Sequence, residues 1–167
     1  MGYTHYWKFK TPTTQTKKQF LDVMMDVEII NQNLPKFSTT AGGHYKDYPI
    51  ILRDGLGEGN PTFSKNEICF NGDGENHLDH ETFYFQYTDE PFDFSFCKTA
   101  RKPYDFVVCC ILISLANRLD GFEFSSDGYF EDWEDAFRYY EEHVGKVKSG
   151  VKEFLEVRNK IEEGVTQ

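Results

Sequence analysis

A chain of 167 residues has the length of one domain, and its 39% hydrophobic and 17% aromatic content is enough for a packed core, which excludes wholesale disorder. Its 18 basic and 28 acidic residues give a formal net charge of −10, which argues against direct nucleic-acid binding and favours solubility. The four cysteines (Cys69, Cys97, Cys109, Cys110) form no CxxC pair, so buried free thiols in a reducing compartment are expected and a zinc ribbon is not.

The opening MGYTHYWKFK lacks an apolar leader region. Gly2 after Met1 resembles a myristoylation start, but the residues after it suit a strand better. The longest apolar run, Phe106–Ala116 with Ser114 inside it, is far short of the roughly 20 residues a membrane helix needs. A cytoplasmic protein without a membrane partner is therefore expected.

Residues 3–10 alternate, with Tyr3, His5, Trp7 and Phe9 on one face of a strand. A helix is expected over about 16–32. Its cap is read in Thr16 and Gln19, its apolar stripe in Phe20, Met24, Val27 and Leu34 with Leu21 and Met25 alongside, and its close in the Leu34–Pro35 step. Strands are expected at 48–54, 67–72, 80–87 and 92–98, the second and third joined through the Gly/Asp/Asn loop 72–79. In the 92–98 strand, Phe92, Phe94 and Phe96 share a face. The Gly-rich stretch 55–61 lacks the GxxxxGK[ST] pattern, so no NTPase is implied.

Pro103 suits the first turn of a helix running to about Asn117. A short strand, 122–128, and a helix, 131–144, follow. Val147, Val151, Phe154, Leu155 and Ile161 mark residues 145–167 as a terminal amphipathic helix. The fold class is α+β, a mainly antiparallel sheet with helices packed on one face, in a single domain over 1–167.

The segment CKTARKP gathers Lys98, Arg101 and Lys102 before the apolar helix. A helix N-terminus repels cations, so their presence there calls for an anion. Thr99 adds a hydroxyl and Tyr104 a phenol and a ring face. Asp105 is read as one of the surface acids available to these cations.

The histidines are the other chemistry-bearing groups. His80 and Thr82 form one HxT pattern, without the second copy a two-histidine phosphoesterase needs. His77, Asp79 and His80 have a loop spacing that does not suggest a metal, and no cofactor is implied. His5 and His80 are the candidate general bases, and Asp127 the group that orients them. Ser125 and Ser126 lie beside it in SSDG; without a GxSxG elbow, a serine hydrolase is not expected. Residues 123–142 hold eight acids and one Arg, a charge density that would suit an acidic inhibitor of a nucleic-acid-binding protein.

The segments MGYTHYWKF, FNGDGENHLDHETF, FCKTARKPYD and SSDG resemble those of a set of uncharacterised proteins from bacteria and phages. The resemblance spans most of the chain. It implies that the four segments belong to one domain of bacterial or viral source, and it assigns no activity.

The leading expectation is a binding protein for a phosphate-bearing small molecule of nucleotide type, such as a phage protein sequestering a host signal. Lys98, Arg101 and Lys102 would hold the phosphate, with Tyr3, Trp7 or Tyr104 stacking on a base. The alternatives are a phosphoester or N-glycosidic hydrolase using His5, His80 and Asp127, and the acidic inhibitor. A homo-oligomer is compatible with each. The four polar segments are expected to meet in one concave pocket.

Overall fold

The computed structural model describes residues 2–10, 12–38, 45–153, 155 and 164. The fold is α+β. Strand β1 (Thr4–Phe9) leads to helix α1 (Thr14–Gln32), then come β2 (Thr62–Phe63), β3 (Glu67–Phe70), a 3₁₀ turn (Gly74–Asn76), β4 (Phe83–Gln86) and β5 (Phe92–Lys98). Helix α2 (Asp105–Arg118), strand β6 (Phe122–Ser126) and helix α3 (Phe130–His143) complete the named elements. Residues 149–153 are helical, while most of the expected terminal helix, including Phe154 and Ile161, lies outside the described residues.

The strands divide between two three-stranded antiparallel sheets, ordered β5-β1-β6 and β2-β3-β4. Alternation in β1 sends Tyr3, His5, Trp7 and Phe9 inward, as expected of a period-2 pattern. The sheets meet through aromatic rings, Trp7 on Phe83 at 5.0 Å and Phe122 on Phe85 at 5.9 Å. Helix α2 is the core element: every residue from Asp105 to Leu115 is buried, against α1 on one side and α3 on the other.

Several elements differ from expectation. Helix α1 begins two residues early, because Thr13 Oγ1 accepts from Gln15 N–H and Thr16 Oγ1 accepts from Thr13 N–H. Its buried stripe is Phe20, Val23, Val27 and Ile30, leaving Leu21 and Met25 exposed. Asp26 lies within that stripe, held by Arg118, Ser114 and Tyr140.

Residues 48–54 form no strand and make only the isolated bridges of Pro49 and Arg53. Pro49 has no N–H to donate, and the Asp54 carboxylate curls the chain by accepting from Leu56 and Glu58 N–H. A register shift between Trp7 and Phe9 divides the expected face of β5. Phe92 packs inward against Phe9, whereas Phe94 and Phe96 face solvent.

Candidate functional site

The antiparallel register places His5 opposite Ser126 of β6 and opposite Cys97 of β5. The first two turns of α2 pass under this point with Asp105 and Cys109, four residues apart and so on one helix face. The result is a fully interior polar cluster. His5 Nδ1 lies 2.8 Å from Ser126 Oγ, and His5 Nε2 lies 2.6 Å from Asp105 Oδ1. Thr99 O–H donates to Asp105 Oδ1 at 2.5 Å, and Cys109 S–H donates to Asp105 Oδ2 at 3.6 Å. Gly128 N–H donates to Ser126 Oγ at 2.9 Å.

Charge placement fixes the direction of these bonds. Burial by itself would raise the Asp105 carboxyl. The adjacent His5 and the hydrogen bonds from His5, Thr99 and Cys109 outweigh it and hold the group below the ordinary carboxylate value. An ionised Asp105 only accepts, so the imidazole proton sits on Nε2 and leaves a lone pair on Nδ1 for the Ser126 hydroxyl. Burial, with Asp105 next, pushes the Cys109 thiol well above its usual range and keeps it neutral. The Tyr3 phenol is pushed up for the same two reasons, burial first and then Asp105.

Aromatic rings close the cluster. Tyr3 meets the His5 ring edge-on at 5.0 Å, and Trp133 of α3 meets it at 4.9 Å. The Trp133 indole N–H is buried and has no hydrogen-bond partner among the described residues. Arg101 stacks over Tyr3 at 4.0 Å and pairs with Asp132 at 2.9 Å. Asp132 also accepts from Tyr129 N–H, capping the start of α3. Ala100 and Arg101 hold this turn with left-handed φ values of 53° and 59°, a conformation that costs non-glycine residues roughly 1–2 kcal/mol each.

Two cations of the CKTARKP segment thus have partners within the protein. Arg101 has Asp132, and Lys102 donates to the His77 carbonyl at 2.7 Å. Asp105 is not a surface partner for them but the buried carboxylate of the cluster.

His5, Thr99 and Ser126, with Tyr3 and Arg101, come together in the interior and under its cover rather than on a concave surface. Asp127 is one residue away and ties the end of β1, accepting from Thr4 N–H and Tyr6 O–H at 3.1 Å each. His80 lies apart, bonded through Nδ1 to the Lys98 carbonyl at 2.8 Å. Thr82 donates to the Gly55 carbonyl at 2.6 Å, and the wholly buried Tyr104 donates to the Glu81 carbonyl at 2.5 Å, so its ring offers no ligand face.

His5, Asp105 and Cys109 bring three potential metal-ligand atoms within 4.8 Å of one another, the one such group among the described residues. The 2.6 Å separation of His5 Nε2 and Asp105 Oδ1 suits a shared proton; two ligands on a tetrahedral zinc stand about 3.3 Å apart. Sequence spacing could not show this set, because His5 is about a hundred residues from the other two. The available signal was chemical: a histidine on an apolar strand face and an aspartate opening an apolar helix each need a buried partner.

A second feature lies on the opposite side of β1 and around the edge of β6. A cavity of about 800 Å³ is lined by Tyr6, Lys8, Phe94, Phe124, Ser125 and Lys148, with Trp7 at its floor. Tyr6 and Phe94 stack there at 5.9 Å. Lys8 and Lys10 share Glu123, at 3.3 and 3.5 Å. Of the sequence candidates, Trp7 and Ser125 line this cavity.

No protein-family description, curated protein or solved structure matches the chain. Among the described residues no helix is long and apolar enough to cross a membrane.

Proposed function

We propose that the protein binds an aromatic, phosphate-bearing small molecule of nucleotide type in the cavity beside β6. The observation that carries this reading is an aromatic wall set beside two lysines, Lys8 and Lys148, in a cavity whose lining also holds Asp93 and Glu123. Tyr6 and Phe94 offer ring faces, and the Lys8 ammonium, whose partner Glu123 is also held by Lys10, is a donor for a phosphate. Lys148 adds a second ammonium to the lining. The volume of about 800 Å³ falls in the range of small-molecule pockets.

On this reading the phosphate lies at Lys8 and Lys148 rather than at Lys98, Arg101 and Lys102, since Arg101 and Lys102 already have partners. The test is calorimetric titration with nucleoside mono- and triphosphates. Wild type should bind at least one, and a Lys8→Ala/Lys148→Ala variant should bind it tenfold or more weakly. Absence of binding across the panel, or equal affinity in the variant, refutes the proposal.

A further inference from the structure

We infer that Ser126, His5 and Asp105 form a nucleophilic relay capable of acyl transfer, a site separate from the cavity and independent of what that cavity binds. A serine hydroxyl within 2.8 Å of one imidazole nitrogen, with a carboxylate 2.6 Å from the other, is the arrangement that activates serine in acyl-transfer enzymes. It is recognised by geometry and not by a local motif, which is how it escapes a search for GxSxG. The ring is used in the opposite sense to the serine-protease arrangement: Nδ1 faces the serine and Nε2 the carboxylate.

The surroundings supply the other parts. Thr99 and Cys109 donate to Asp105 and leave Nε2–H its fixed partner. Two donors lie close by for charge developing on a carbonyl oxygen. The Tyr3 hydroxyl rests against Gly128, whose own N–H holds Ser126 Oγ. The Trp133 indole N–H is buried beside His5 without an acceptor among the described residues.

The reaction balances without a cofactor. Ser126 Oγ attacks the carbonyl carbon of an ester, an O–C bond forms, and the hydroxyl proton passes to His5 Nδ1. The C–O bond to the leaving alcohol then breaks, and the alkoxide takes that proton. Water next attacks the acyl-serine, gives its proton to Nδ1, and releases the acid as the proton returns to Ser126. Ser126 and His5 touch the reacting atoms, whereas Asp105 is a positioning residue.

Ser126 is 3% exposed, so a substrate needs the cover displaced. That cover is Tyr3 with Arg101 stacked on it and tied to Asp132. Arg101 sits in a two-residue left-handed turn, a conformation that releasing the ion pair lets relax.

The probe is a biotinylated fluorophosphonate, which loses fluoride as it forms an O–P bond to an activated serine. Labelling is followed by peptide mass mapping in wild type, Ser126→Ala, Asp105→Asn and Arg101→Ala, with circular dichroism confirming the fold of each. The expected result is label on Ser126 in wild type, none in Ser126→Ala, and faster labelling in Arg101→Ala. Asp105→Asn should label at least 100-fold more slowly with a flattened pH profile, because an asparagine amide donating to Nε2 puts the proton on Nδ1 and removes the base. Label on another residue, label persisting in Ser126→Ala, or no label in folded wild type and folded Arg101→Ala overturns the inference.

Discussion

Gly128 and Tyr3 occupy adjoining space: a Cβ on Gly128 would lie 3.0 Å from Tyr3 Cζ and closer still to the hydroxyl oxygen. The Tyr3 ring is 5% exposed and packed between His5 and Arg101, so it has nowhere to retreat without opening the cluster. Gly128→Ala should therefore destabilise the fold by about 1–3 kcal/mol through overpacking. Urea unfolding of the variant beside wild type measures this. Unchanged stability would show that Tyr3 moves freely.

The Asp105 carboxylate predicts an acid-side stability profile. Its folded pKa is lowered, so its contribution is fully present above the unfolded value of about 3.9 and is lost as pH falls through the folded value. Asp105→Asn should cost about 1.5–3 kcal/mol at pH 7, since it removes the carboxylate that accepts from His5 Nε2–H, Thr99 and Cys109. The variant should also lose less than wild type between pH 5 and pH 3. Denaturant titrations at several pH values give both quantities, and parallel profiles would remove Asp105 as the group that titrates.

The alkylation pattern of the thiols follows from burial. Cys97, Cys109 and Cys110 are buried and free, and burial pushes all three thiols up. Cys69 is the partly exposed one. Iodoacetamide at pH 8 should modify Cys69 alone in the native protein and all four thiols in denaturant, as read by intact mass. Rapid native modification of Cys109 would mean that the cluster opens readily.

What the sequence disclosed depended on periodicity. The inward face of β1, the span of β5 and the β3–β4 pairing are visible in alternation, because a half-buried strand writes its pattern in every second residue. The buried cluster is written nowhere locally. Its three central members come from β1, α2 and β6, and they meet only because strand register sets His5 against Ser126 and the start of α2 lies beneath both. The cationic turn misled for a related reason. Asp132, the partner of Arg101, is 31 residues away on α3, and sequence distance hid the neutralising charge.

The last prediction concerns the interior ion pair joining the three helices. Asp26 of α1 takes two hydrogen bonds from Arg118 at the end of α2, at 3.0 and 3.1 Å, one from Ser114 at 2.8 Å and one from Tyr140 of α3 at 2.7 Å. The carboxylate is buried, while the Arg118 side chain is 38% exposed and retains part of its hydration. Burial and the Asp26 bond push the Tyr140 phenol up to about 12, so it remains a donor across the neutral range. Asp26→Asn turns an acceptor-only group into one with two donors facing three donor side chains. It should cost about 3 kcal/mol, the low end for breaking a buried pair, because Arg118 can turn to solvent. Arg118→Lys keeps the charge and loses the two-pronged geometry, so the expected cost is smaller, about 1 kcal/mol. The double variant should be less destabilised than the sum of the two, since both remove the same interaction. Guanidinium unfolding of the four proteins closes the cycle. Strict additivity would mean that Asp26 draws its stability from Ser114 and Tyr140 and not from Arg118.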